Sequence, residues 1–99
     1  MNGLEGSYAD HLELRKLTGE IKDWKFEPFK LKLADKTYFA VDFTLVMLDG
    51  LIECHETKGH WEDDARVKIK VAARMFPEFK FVGVCWDKRE GWKFEGFRP

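Results

Sequence analysis

Two apolar runs meeting at Asp49-Gly50 constrain this chain more than any other stretch. The first, Thr37 to Leu48, alternates Phe39, Val41, Phe43, Leu45 and Met47 with Tyr38, Asp42, Thr44 and Val46; the second, Leu51 to Lys58, carries Ile52, Cys54, Glu56 and Lys58. Alternation with a period of two specifies strands, and Asp49-Gly50 suits a tight hairpin turn between them. Residues two apart on a strand share a face, so Glu56 and Lys58 emerge side by side, and Asp42 can face them from the neighbouring strand.

A Glu-x-Lys doublet is more often a solvated strand face than a site. Here, however, the charges lie inside apolar runs, where burial is costly without a partner or a metal. Carboxylates from two strands hold a hard divalent cation such as Mg²⁺, which keeps open positions for water and a phosphate oxygen. A lysine beside the cation can orient the attacking water, help lower its pKa, or neutralise charge developing on the phosphate. These residue types suit metal-assisted hydrolysis of a phosphodiester.

The flanking segments read as a framework for that pair of strands. Leu4, Tyr8 and Leu12 at fourfold spacing predict a helix from about Leu4 to Leu17, with Asn2 as its N-cap and Gly19 as its stop. Glu5 falls in its first turn, where the helix dipole alone would favour a carboxylate. Strands are expected over Ile21 to Glu27 and Phe29 to Leu33, the latter with Lys30 and Lys32 on its outer face. After the loop Gly59-His60-Trp61-Glu62, Asp63 or Asp64 can cap a second helix running to about Phe76, where Pro77 ends it. Ala65, Ile69, Ala72 and Phe76 form its inward stripe, while Arg66, Lys70 and Arg74 line another ridge. Phe79 to Trp86 reads as a central strand and Trp92 to Phe97 as a closing one. The order predicts an α+β domain with a mixed sheet, in which the strand after the second helix can lie parallel to the Glu56 strand.

Composition narrows the function classes. A length of 99 residues allows one domain, and 44% hydrophobic residues with nine Phe and four Trp are ample for its core. No apolar run approaches the roughly 20 residues of a membrane span, and the N-terminus lacks the order of a signal peptide, so a soluble, cytoplasmic protein is expected. Cys54 and Cys85 sit within apparent strands and read as reduced core residues. A net charge of −1 argues against a histone-like binder of nucleic acid. No Gly-rich phosphate loop is present, and Ser7, the only serine, has no triad context. Zinc at Cys54, His55 and His60 is a poor reading, because neighbours on a strand point to opposite faces.

Two further features have both a bland and a functional reading. His60 and Trp61 follow the lysine strand directly and can contact substrate, with Trp61 stacking on a base or sugar; Trp61 can equally cover the core. The ridge Arg66, Lys70, Arg74, with Lys68 nearby, is commonly a solvated helix face. Because its helix follows the Glu56 strand, Arg66 and Lys68 in the N-terminal half are the better placed to hold DNA phosphates, Lys70 and Arg74 less so.

A helix with an acid near its start, then Val41-Asp42-Phe43, a hairpin to Glu56-Thr57-Lys58-Gly59, then a helix and a strand, resembles the PD-(D/E)XK nuclease superfamily. Within it the chain is similar to small phage-encoded endonucleases of the DUF1064 and T7 endonuclease I-like kind. The resemblance covers nearly all of residues 1–99 as one nuclease domain, and implies a restriction-endonuclease-like core of order αβββαβ, a mixed sheet flanked by helices. It implies that Asp42 and Glu56 bind Mg²⁺ or Mn²⁺, that Lys58 is the catalytic lysine, and that Glu5 completes the metal site, with Asp10 and Glu13 as alternatives on the same helix. DNA would be the substrate, recognised by shape, such as a branch, nick or flap, because so small a domain offers little surface for reading a long sequence. A homodimer acting in the host cytoplasm follows by the same analogy. Where the family has Pro-Asp, this chain has Val41-Asp42; proline there would shape the backbone without binding metal. The rival expectation is a non-catalytic module that keeps the fold and uses the Arg66 to Arg74 ridge to hold nucleic acid or a partner.

Overall fold

A reciprocal cap opens the first helix. In the computed structural model, which describes Met1 to Pro99, Asn2 Oδ1 accepts from the Glu5 amide and Glu5 Oε1 accepts from the Asn2 amide, both at 2.8 Å. Two donors that a bare helix start leaves free are thereby satisfied, and α1 runs over Gly3–Leu17. Gly19 ends it at φ +83°, a conformation that would strain any side chain.

The remaining elements are β1 (Asp23–Phe26), β2 (Lys30–Ala34), β3 (Thr37–Ala40), β4 (Phe43–Val46), β5 (Ile52–Thr57), α2 (Asp63–Met75), β6 (Lys80–Asp87) and β7 (Gly91–Phe97). Five strands form one mixed sheet in the order β1-β4-β5-β6-β7, with β5 and β6 parallel and the other pairs antiparallel. A parallel pair needs a crossover, and α2 supplies it. One helix packs on each face of the sheet. Tyr8 and Leu12 of α1 meet Phe43, Leu45, Val82 and Val84; Ile69, Ala72 and Ala73 of α2 meet Cys54, Phe81 and Phe97 on the other side. Full burial of each large apolar side chain contributes about 1.5–3 kcal/mol, and these two layers hold the sheet between them. No helix is long and apolar enough to cross a membrane.

The expected α+β architecture is therefore present, but with five strands before α2 and two after it. The main correction concerns the strand expected over Thr37 to Leu48, which is two strands in two sheets. β3 pairs with β2 as a separate two-stranded ribbon, whereas β4 enters the main sheet. Between them the Val41 amide donates to Phe29 O at 3.3 Å and Asp42 O accepts from the Glu27 amide at 2.7 Å. The chain thus leaves one ladder and joins another at Val41-Asp42. Consequently Phe39 and Val41 pack in the α2 layer, while Phe43 and Leu45 pack in the α1 layer. The single face expected for all four is divided at Asp42.

Smaller differences concern turns and caps. In the β4–β5 turn the Gly50 amide donates to Met47 O at 2.9 Å, so Leu48 and Asp49 are its central residues and Gly50 follows at φ +88°. At the start of α2 the capping position belongs to Glu62, which makes no side-chain cap. Asp63 and Asp64 lie in the first turn instead, where the helix dipole favours acids.

Candidate metal centre

The break at Val41-Asp42 sets the position of the first acid. Because the chain turns there to enter the sheet, the Asp42 side chain projects beside the end of β5 on the α2 side. Its Oδ2 accepts from Thr57 N at 2.9 Å and from Thr57 Oγ1 at 3.0 Å. That grip fixes the residue between Glu56 and Lys58. Glu56 and Lys58 then share the other face of β5 from Thr57, as their spacing requires. Lys58 is held by its own amide, which donates to Val84 O at 2.9 Å.

Asp42, Glu56 and Lys58 line one cleft of about 290 Å³ together with Tyr38, Ala40 and Lys68. Glu56 is only 7% exposed. Burial pushes its carboxyl up to about 10, aided by a hydrogen bond to Asp42 and by the charge of Asp42; Lys58 opposes the shift and Glu5 adds to it. Burial and the neighbouring Asp42 thus hold the Glu56 carboxyl well above the ordinary carboxylate range. The Lys58 ammonium makes no ion pair within 4.0 Å, so its charge remains available to whatever enters the cleft.

This donor set suits a small hard cation. A divalent ion held between the two carboxylates would displace the Glu56 proton and remove their mutual repulsion. Mg²⁺ characteristically takes one or two carboxylates and fills its remaining positions with water and phosphate oxygens, so the pair is sufficient. The expected third ligand, Glu5, is engaged elsewhere in this structure. No three His, Cys, Asp or Glu side chains are gathered as a metal-holding group, and Glu5 accepts the Asn2 amide in the helix cap. Glu5 is nonetheless the helix acid whose field reaches Glu56. Asp10 is exposed, and Glu13 Oε1 accepts from Trp24 Nε1 at 2.9 Å.

The residues expected to hold DNA divide sharply. Lys68 lines the cleft, with Nζ 3.4 Å from Tyr38 O. Arg66 does not: its guanidinium forks onto both oxygens of Glu95 on β7 at 2.9 Å, over the rings of Trp61 and Phe97. Positions two apart on a helix diverge by about 200°, so Arg66 and Lys68 could not both face the cleft. Lys70 is exposed and adds its field to Glu95, on the Arg66 side. His60 is exposed, with Glu62 at 3.9 Å as its nearest acid.

Trp61 covers the core. Its ring lies against Phe97, centroids 5.8 Å apart, and over Gly83, the residue of β6 in register with Glu56. A Cβ at Gly83 would stand 2.6 Å from Trp61 Cζ2 and 3.1 Å from Phe97 Cε2. Gly83→Ala is therefore expected to cost about 1–3 kcal/mol through overpacking, read as a lower urea midpoint. An unchanged midpoint would show that Trp61 is not seated there.

On the opposite face of the sheet lies a buried polar chain that the sequence did not reveal. Tyr8 Oη is 2.6 Å from His55 Nδ1, and His55 Nε2 is 2.9 Å from Glu53 Oε1. Burial lowers the pKa of His55, so the ring is neutral at pH 7; it donates from Nε2 to Glu53 and accepts the Tyr8 hydroxyl at Nδ1. This chain ties α1 to β5 immediately beside Glu56. The two-residue spacing of Glu53 and His55 was visible in the sequence, but Tyr8, 47 positions away, was not. Cys54 points to the α2 layer, where burial pushes its thiol up to about 12. Comparison with family models, curated proteins and solved structures found no match.

Proposed function

We propose that this chain is a Mg²⁺- or Mn²⁺-dependent DNA endonuclease with a PD-(D/E)XK type of site. The observation that carries the reading is the convergence of Asp42, Glu56 and Lys58 in one cleft, with the lysine in no ion pair. Asp42 and Glu56 would hold the cation, which when bound supplies an activated water and polarises a phosphate oxygen. Lys58 orients that water or stabilises the charge that develops on the phosphate. Lys68, at the same cleft, attracts the DNA backbone. Thr57, gripped by Asp42, keeps the two functional residues on either side of it in place.

The cleft is small and open, which favours DNA recognised by shape, such as a branch, nick or flap, over a long sequence. The rival non-catalytic module loses support because Arg66, the leading residue of its ridge, is committed to Glu95. Supercoiled plasmid and a synthetic four-way junction, each in Mg²⁺, Mn²⁺ or EDTA, provide the test. Metal-dependent cutting, faster on the junction, is expected. Salt-sensitive binding without cutting by the folded protein would overturn the nuclease in favour of the binding module.

A further inference from the structure

β7 is the last strand of the sheet, and no backbone hydrogen bond from another element reaches its outer edge. It is seven residues long, whereas β1 at the opposite edge has four. A long free edge is a template for another strand, and proteins commonly protect one with proline, a bulge or charged side chains. β7 has charges, but of opposite sign, so they can complement those of a second copy. It contains no proline, stays in unbroken register with β6 from Gly91 to Phe97, and bears Lys93 and Glu95, opposite in sign, on either side of Phe94. Phe94 is half-exposed on the α1 side, near Trp86, also half-exposed, and Trp92; the two indoles stand edge to face at 5.0 Å.

We infer that β7 pairs antiparallel with β7 of a second copy of this chain, about a two-fold axis at Phe94, to make one ten-stranded sheet. Residues opposite each other in such a pair share a face. In this register Lys93 therefore meets Glu95 of the second copy, twice by symmetry, on the α2 side. On the α1 side Phe94 meets its own copy, and Trp92 lies across from Gly96, where no atom would meet an added side chain within 4 Å. Centring the pair on Lys93 or on Glu95 instead sets like charges opposite, which disfavours both registers. The existing Arg66–Glu95 fork and the Lys93–Glu90 pair at 2.8 Å are compatible, because a carboxylate can accept from several donors and an ammonium can donate three times. The aromatic residues supply the apolar centre that strand pairing alone lacks.

The inference is independent of the hydrolytic reading and is tested by mass in solution, by light scattering behind size exclusion. Wild type is expected as a dimer. Lys93→Glu places two acids opposite one another and Glu95→Lys two lysines, so each variant alone is expected as a monomer. An equimolar mixture of the two restores every opposite-charge pair and returns to twice the monomer mass. Far-UV circular dichroism checks that both variants are folded; both changes are at exposed positions of β7. A monomeric wild type, dimers that persist in both variants, or a mixture that stays monomeric would each overturn the inference.

Discussion

Glu56→Gln is expected to be more stable than wild type at pH 8 in EDTA and to have no nuclease activity above background. The Glu56 carboxyl sits at about 10 in the folded chain against an ordinary value of 4.5. Between those values the folded protein holds a proton that the unfolded chain has released, so this group's contribution to stability falls as pH rises through that window. Glutamine keeps the shape and the hydrogen-bonding capacity but carries no such proton. The wild-type thermal midpoint should therefore drop between pH 5 and pH 8 more than that of the variant. A difference of about 1–2 kcal/mol at pH 8 would separate the midpoints by roughly 5–15 °C in a domain of this size. Mn²⁺ should reverse the order, since it stabilises only the protein that binds it. Parallel pH profiles for the two proteins would show that Glu56 is ionised in the fold.

Lys58→Ala is the second large effect, and it differs in kind. The lysine has no ion-pair partner whose loss would destabilise the fold, so the variant should remain folded and still bind Mn²⁺. Removing a positive group from beside a phosphate that gains charge costs on the order of a hundred- to a thousandfold in rate, as for other single electrostatic donors. Single-turnover cleavage at saturating Mn²⁺ isolates this from binding. Wild-type rates under those conditions would remove Lys58 from the chemistry.

How much of this was legible in the sequence depended on the range of the interaction. Glu56 and Lys58 were placed on one face by the period of a strand, and α1 was bounded by Asn2, Glu5 and Gly19, all within a few residues of its ends. The division at Val41-Asp42 was not legible. The period of two runs through it without interruption, and only the long-range bonds to Phe29 and Glu27 send the two halves into different layers. Arg66 could have been separated from Lys68 by the helical period. Its capture by Glu95, 29 positions on, required the packing of α2 against β7. Trp61 likewise acquired its role from Gly83, whose lack of a side chain has meaning only once β6 lies beside β5.

Asp42 illustrates a limit on what deletion genetics can separate. One of its oxygens secures both the amide and the hydroxyl of Thr57, so the same side chain that would bind a cation also shapes the peptide joining Glu56 to Lys58. Removing its carboxylate would take away the proposed ligand and loosen the backbone that aims the other two residues together. Inactivity of an Asp42 variant would thus confound chemistry with local architecture, and a suppressor restoring the hold on Thr57 could recover order without recovering turnover. Glu56, with no comparable structural bond to a neighbouring strand's backbone, is the position at which the two contributions come apart.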